Sequence, residues 1–333
     1  MSDFLATEIA VQFIKDSFER RLSEMLALTR VSAPLVLDEG TGINDDLSGR
    51  ERPVTFYPHS MQGRGAVVVQ SLAKWKRIKL ARASVGPGRG IITDMRALRP
   101  DEVFSPLHSL FVDQWDWEIS IEEDDRNIAF LKSLVETVYK AVTLTAADLG
   151  DRYERETPEM PHNITFIHSE ELLQLYPRLS AEEREAEIAR EAGALFIAGI
   201  GAPLSDGSRQ GERAPDYDDW SSPNEDGCFG LNGDIIIWSD ILGRAVELSS
   251  MGIRVDRPAL LYQLRECNCM ERISLAYHTM LMEGRLPMSA GGGIGQSRLA
   301  MLLLGKRHIG EVQAGLWPEK ERGRLASEGI ELL

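Results

Sequence analysis

Ile9, Phe13, Ile14, Phe18, Leu22, Met25 and Leu26 recur at steps of three and four, the period of one helix face, and predict an amphipathic helix over residues 5–28. LTRVSAPLVL then predicts a short strand stopped by Pro34, because proline cannot donate to a sheet ladder. DEGTGINDDLSGRERP is dense in Gly and Asp and predicts a loop. GAVVVQSLAKWKRIKL starts as a strand and turns helical near Ser71, GPGRG predicts a turn, and IITDMRAL a strand. SLFVDQWDWEISI alternates and predicts a second strand, antiparallel to that one. Residues 127–149 place Phe130, Leu131, Leu134, Val135, Val138 and Tyr139 on one side of a long helix. NITFIHS and GALFIAGIGAP read as buried strands, and SAEEREAEIAREA (residues 180–192) as an exposed charged helix whose face is solvated. GDIIIWSD and AVELSSMGIRVD predict two more strands, residues 257–283 a helix, and residues 295–305 a final helix after a run of glycines. Strands and helices do not alternate regularly, so a doubly wound parallel sheet fits poorly. The pattern predicts an α+β fold, one domain over residues 1–333, with a mostly antiparallel sheet flanked by helices.

Composition narrows the partners. A net charge of −15 disfavours nucleic acid, whose phosphates need a clustered Lys/Arg surface. The three cysteines, Cys228, Cys267 and Cys269, form no disulfide framework, and Cys267-Asn-Cys269 lacks the second ligand pair that zinc needs. The N-terminal MSDFLATEIA lacks a basic segment followed by an apolar one, and no apolar run approaches a membrane span. A cytoplasmic protein with no membrane partner is expected.

GGGIGQSRL, residues 291–299, is the candidate for chemistry. A P-loop needs Lys and then Ser or Thr after its last glycine, whereas Gly295 is followed by Gln296, Ser297 and Arg298. A dinucleotide fingerprint needs a third glycine where Arg298 stands, and belongs to an early βαβ unit. The glycines predict a turn that lets backbone approach a flat or charged ligand, with the N–H groups of the next helix aimed at it. Arg298 lies in the first helical turn, where a cation gains nothing from the dipole, so a bound anion would account for it. An ordinary turn with an exposed arginine remains the alternative at this point.

Other segments add to this run. LTRVSAPLV, then MRALRPDE with SLFVDQWDWE, then GGGIGQSRLAMLL resemble, in order, the three motifs of a class II aminoacyl-tRNA synthetase core. QSLAKWKR resembles the aspartate- and asparagine-specific subgroup. The helix over residues 1–28 leaves no room for that subgroup's N-terminal anticodon-binding barrel. DDLSG, QSLAKWKR, ALRPDE, SPLHS, VDQWDWE, RAPDYDDW, LNGDI, ELSSMGIRVD, GGGIGQSRL, HIG and VQAG together resemble the ammonia-dependent asparagine synthetases, the aspartate–ammonia ligase family, over essentially the whole chain. The departures are a slightly short loop near residues 102–104, and Gln70 where that family can carry His.

The resemblance implies a homodimer built through the first helix and the Pro34 strand. It implies adenylation of aspartate by ATP with Mg²⁺, followed by attack of ammonia. Arg99 would then hold the α-phosphate, Arg298 with Gly293 and Gly295 the outer phosphates and adenine, and Arg213 further phosphate. Asp234 and Glu247, on adjacent predicted strands, would hold Mg²⁺. Asp45 and Asp218 are candidates for the substrate ammonium, and Lys76, Arg254, Ser71 and Ser250 for its carboxylates. Gln114 and Asp116 share a strand face with Val112 and can enter one cleft. Asp116 or Asp218 is a candidate for binding or deprotonating ammonium. His108 reads as a loop residue contacting adenine or serving structure rather than as a base, and the RAPDYDDW acids as a loop against substrate rather than a metal cluster. GKRH, residues 305–308, reads as cations closing the last helix. Taken singly, Arg99 or Arg213 could be a surface ion-pair partner and Asp234 a turn residue; their joint occurrence on segments resembling one family's site argues for a site.

Glutamine-dependent synthetases need a nucleophilic cysteine at the mature N-terminus or on an elbow with His and Glu partners. Ser2 follows Met1, and Cys228 in EDGCFG has no helix after it, so ammonia is the expected donor. A synthetase paralogue that passes the activated acid to another acceptor would show an altered ammonia pocket. A non-catalytic nucleotide-binding paralogue would have lost an arginine or a metal ligand. Neither loss is evident.

Overall fold

The computed structural model describes residues 3–45, 47, 51–154 and 157–333, so of DDLSG only Asp45 and Leu47 are described. Helix α1 (Asp3–Met25) leads into β1 (Leu28–Arg30), β2 (Val36–Asp38), β3 (Thr55–Phe56), β4 (Ala66–Val68) and α2 (Ala73–Arg82). Next come β5 (Gly90–Leu98), β6 (Phe111–Ser120), α3 (Ile128–Tyr153), β7 (Thr165–His168), α4 (Ser169–Leu175), α5 (Ala181–Ala192) and β8 (Ala194–Ala198). The chain ends with β9 (Asn232–Ser239), β10 (Arg244–Ile253), α6 (Arg257–Glu266), α7 (Ala276–Met282), β11 (Ser289–Gly295), α8 (Gln296–Leu304) and α9 (Glu319–Ser327).

Eight strands form one sheet in the order β1-β5-β6-β11-β10-β9-β8-β7. Its outermost pairs, β1 with β5 and β7 with β8, are parallel, and the pairs between them are antiparallel. The α+β architecture read from the pattern is thus present. On β6 the side chains alternate. Trp115, Trp117 and Ile119 join the apolar core with Ile14, Phe18 and Leu22 of α1, Leu131, Val135 and Val138 of α3, and Leu299 and Leu303 of α8. Burying each of these large side chains stabilises the fold by about 1.5–3 kcal/mol. The intervening Val112, Gln114 and Asp116 face a cavity on the other side of the sheet. A strand whose Trp115, Trp117 and Ile119 face the core and whose Gln114 and Asp116 face the cavity therefore divides core from site.

Several elements depart from the pattern. The first helix ends at Met25, because Ala27 takes a left-handed φ of 50°, and Ile9 and Met25 lie outside its buried face. LTRVSAPLVL supplies two strands, since the proline separates β1 in the large sheet from β2 in a small sheet, β2-β4-β3, that the pattern did not suggest. NITFIHS forms β7, but it is an edge strand and only partly buried. On α5 the charged face is not wholly solvated: Arg184 is buried and its Nε donates to Gln210 Oε1 at 3.3 Å. Residues 257–283 break into α6, a 3-10 turn at Met270–Ser274 and α7, because Asn268 adopts φ 52°. Helix α8 stops at Gly305, left-handed at φ 62°, which closes the helix as a glycine C-cap does. It is not the final helix, since α9 follows. His308 of GKRH is no surface cation; it is buried with its ring centroid 4.8 Å from that of Trp317.

Candidate active site

The glycine run is a strand, not a turn. Gly291, Gly292 and Gly293 pair with Glu118, Trp117 and Asp116 of β6 on one side and with Gly252, Met251 and Ser250 of β10 on the other. Their use is close approach. A Cβ on Gly291 would collide with the Glu118 carboxylate and the Arg254 guanidinium, and one on Gly293 would stand 2.7 Å from Gln114 Oε1. Glycine here lets long polar side chains from neighbouring strands lie flat across the strand backbone. Close approach of the backbone is present as expected, though in a strand and not a turn, and so is the helix start: α8 begins immediately after Gly295, and Arg298 lies in its first turn.

These side chains floor a cavity of about 830 Å³ bounded by β6, β10, β11, the first turn of α8, the start of α2 and the loop around Arg213. Lys76 is 1% exposed, ion-pairs with Asp116, and donates to the Gly292 carbonyl at 2.9 Å. Asp116 Oδ2 is buried without a hydrogen-bond partner, so one carboxylate oxygen is left over at the cavity wall. Arg254 donates Nε and Nη2 to Glu118 at 2.8–3.1 Å and Nη1 to Asp218. Ser289 Oγ donates to Glu118 at 2.7 Å. Burial alone would raise the Glu118 carboxyl; the Arg254 guanidinium and the Ser289 hydroxyl outweigh it and hold it below its usual range. Pattern reading missed Glu118. Its signal was the alternation that selected Gln114 and Asp116, since Glu118 is the next residue on that face.

The arginines lie where a polyanion could meet them. Arg99, just past β5, has an Nε without a partner and only a long Nη2 contact of 3.5 Å to the Gln70 carbonyl. Arg298 donates to the Glu247 carbonyl at 2.8 Å. Arg213 ion-pairs with Asp234 and lies 3.9 Å from Asp218. His108 bonds Ser105 through Nδ1 at 2.8 Å, and burial, helped by Arg298, pushes its pKa down to about 4. It is neutral at pH 7, in keeping with a loop role. Ser71, Ser250, Gln114 and Asp218 also line the cavity.

Two expected residues stand off the wall. Asp45 is buried 3.9 Å from Lys74 Nζ, and Asp234 lies behind Arg213. Asp234 and Glu247 do occupy adjacent strands, β9 and β10, with a bulge between Glu247 and Ser249. Burial, and after it the neighbouring Glu247, raise the Asp234 carboxyl against the pull of Arg213. Asp234 is buried and Glu247 half-exposed, and carboxylate oxygens of this kind are the ligands that a hard divalent cation such as Mg²⁺ takes. The RAPDYDDW acids disperse: Asp216 to Lys74 and His278, Asp218 to Arg254, and Asp219 to Arg126 and Ser222. Among the described residues no three His, Cys, Asp or Glu side chains gather as a metal cage, and no helix is long and apolar enough to cross a membrane.

Solved structures give the class. The chain resembles asparaginyl-tRNA synthetase from Pyrococcus horikoshii complexed with asparaginyl-adenylate, with a TM-score of 0.69 and 16% identity over 94% of this chain and 70% of that one. It also resembles the Entamoeba histolytica asparaginyl-tRNA synthetase in complex with asparaginyl-adenylate, with a TM-score of 0.65 and 15% identity over 93% of this chain and 66% of that one. The fold is that of the class II aminoacyl-tRNA synthetases. Sequence comparison is more specific: the family model described as aspartate-ammonia ligase matches residues 5–329, so the chain belongs to the aspartate–ammonia ligase family. The aspartate–ammonia ligase of Bacteroides thetaiotaomicron is 51% identical over 99% of this chain and 96% of its own length. That of Clostridium perfringens strain 13 is 47% identical over 98% and 95%.

Proposed function

We propose that the chain makes L-asparagine from L-aspartate, ammonia and ATP through a β-aspartyl-adenylate, releasing AMP and pyrophosphate. The observation that carries this reading is one cavity in which Arg99 and Arg298 approach the Lys76–Asp116 pair and the Glu118-braced Arg254. An ATP phosphate chain and an amino acid carrying two carboxylates need such neighbouring cationic groups. In the first step the side-chain carboxylate of aspartate forms a bond to the α-phosphorus, and the bond to pyrophosphate breaks. Arg99, with a free Nε and a planar fork, suits the α-phosphate, and Arg298 and Arg213 suit the remaining phosphates. Asp234 and Glu247 would hold Mg²⁺, which when bound supplies further neutralisation of phosphate charge.

Lys76, Arg254, Ser71 and Ser250 suit the substrate carboxylates and Asp218 its ammonium, with Gln114 entering the same cleft. Asp45, behind the wall, supports that end of the site. In the second step ammonia forms a bond to the acyl carbon, AMP departs, and one proton is lost. The unpartnered oxygen of Asp116 is the acceptor best placed for it. A homodimer formed through α1 and the segment around Pro34, acting in the cytoplasm without nucleic acid, completes the proposal.

The test incubates purified protein with L-aspartate, ATP, Mg²⁺ and ammonium, following AMP and asparagine together. Equal yields of both, absent without ammonium and not restored by glutamine, support the reading. Aspartate-dependent ATP–pyrophosphate exchange without asparagine would replace ammonia by another acceptor. No exchange would reduce the chain to a binding protein.

A further inference from the structure

Helix α8 presents Arg298 from its first turn, yet its N-cap is Gly295, which has no side chain to satisfy the first amide groups. The cap comes from another element. Asp113, on the core-facing side of β6, accepts the Ser297 amide on Oδ1 at 3.1 Å and the Ser297 hydroxyl on Oδ2 at 2.8 Å. Gln313 Nε2 reaches the same Oδ1 at 3.4 Å and donates to Ser297 Oγ at 3.0 Å, and the other end of that amide accepts from Ser109. Lys15, on α1 and off the cavity wall, ion-pairs with Asp113 Oδ2 at 2.9 Å.

We infer that Asp113 is a positioning residue for Arg298, and that Lys15 fixes Asp113. Asp113 borders the cavity, but both its oxygens are engaged from the helix side, so it acts through α8 rather than by touching a ligand. A carboxylate at a helix N-terminus is doubly favoured, by hydrogen bonds to the orphan amides and by the dipole. It also fixes the rotation and depth of α8 against β6, and with them the reach of Arg298. The chain of contacts runs from α1, through Lys15 and Asp113, to the helix that carries Arg298. It rests on the reading of Arg298 as an ATP contact.

The test compares the Asp113→Ala, Asp113→Asn and Lys15→Met variants with the wild-type protein. Titration calorimetry measures ATP binding, and steady-state assays give KM for ATP and for aspartate separately. Loss of a charged cap and of the register it holds should weaken ATP binding about tenfold in Asp113→Ala. Asp113→Asn keeps one acceptor and should recover part of that loss. Lys15→Met, at a residue that does not line the cavity and ion-pairs with Asp113, should shift ATP affinity in the same direction by about two- to fivefold. KM for aspartate should stay within about twofold throughout. A general loss of folding would instead lower the active fraction and leave both KM values unchanged. Unaltered ATP affinity in folded Asp113→Asn and Lys15→Met, or equal rises in both KM values, would overturn the inference. If wild-type protein binds ATP but forms no AMP, the proposed reaction fails, while the calorimetric comparison still decides the role of Asp113.

Discussion

Glu118 shows how much one buried charge can control. It is 0% exposed, holds Arg254 through three contacts, and has no role a ligand could take over. Replacing one partner of such a pair leaves the other unpaired, at about 3–5 kcal/mol. Glu118→Gln should therefore lower stability to chemical denaturation by about 3 kcal/mol at pH 7 and raise KM for aspartate, because Arg254 keeps only Asp218 as an ionic partner. The pH dependence has a definite sign. Its folded pKa lies below the usual 4.5, so its contribution is full above that value and fades as pH falls through the lower folded pKa. The stability gap between wild type and variant should narrow below about pH 4.5, and a gap that widens there would contradict the assignment. At Arg298 the expectation is kinetic. Arg298→Ala should cut AMP formation by about a hundredfold or more with the fold intact by circular dichroism, and unchanged turnover would remove the residue from the site. Arg298, Arg99 and Lys76 were legible in the sequence because whole segments around them resemble one family. Glu118 carried the alternation signal of its strand but, like Asp113, nothing in local spacing that named its partner, which lies two strands or one layer away.

Among the elements, the strands of the site were legible and the glycine run was misread. Alternation on β6 sorted core from cavity correctly because one set of side chains packs into the apolar core and the other lines the cavity. GGGIG looked like a turn because glycine is the usual turn former and carries no periodicity of its own. Its neighbours decide the matter: β6 and β10 hydrogen-bond it on both sides. Gly291→Ala tests what the strand is for. The added Cβ meets the Glu118 carboxylate and the Arg254 guanidinium, so the variant should lose about 1–3 kcal/mol of stability and bind aspartate at least tenfold more weakly. Gly86→Ala, where a Cβ meets nothing within 4 Å and the backbone takes no left-handed φ, controls for glycine replacement as such and should leave aspartate binding unchanged. Equal effects of the two would show that Gly291 serves only the backbone.

At the scale of the molecule, the mostly antiparallel sheet followed from periodicity; the short helices α4 and α9, the break between α6 and α7, and the small sheet β2-β4-β3 did not, because segments this short carry too few periods to be read. Assembly is decided by what the monomer leaves outside. Phe4, Ile9 and Met25 of α1 are exposed, and Leu35, beside Pro34, is 57% exposed. The proposed dimer covers them. Sedimentation velocity should find a dimer for the wild type and a monomer for Ile9→Glu, since a buried unpaired carboxylate at an interface costs several kcal/mol. A wild-type monomer would contradict the arrangement.

Part of the cavity wall is backbone, where Gly292, Gly293 and Gly295 run along it. Glycine has nothing left to remove, so any exchange there adds atoms. Mutation can shrink this side of the pocket but never enlarge it. A variant enlarged for a longer acid would have to gain its space on the opposite side, from Gln114, Ser71 or the loop around Arg213.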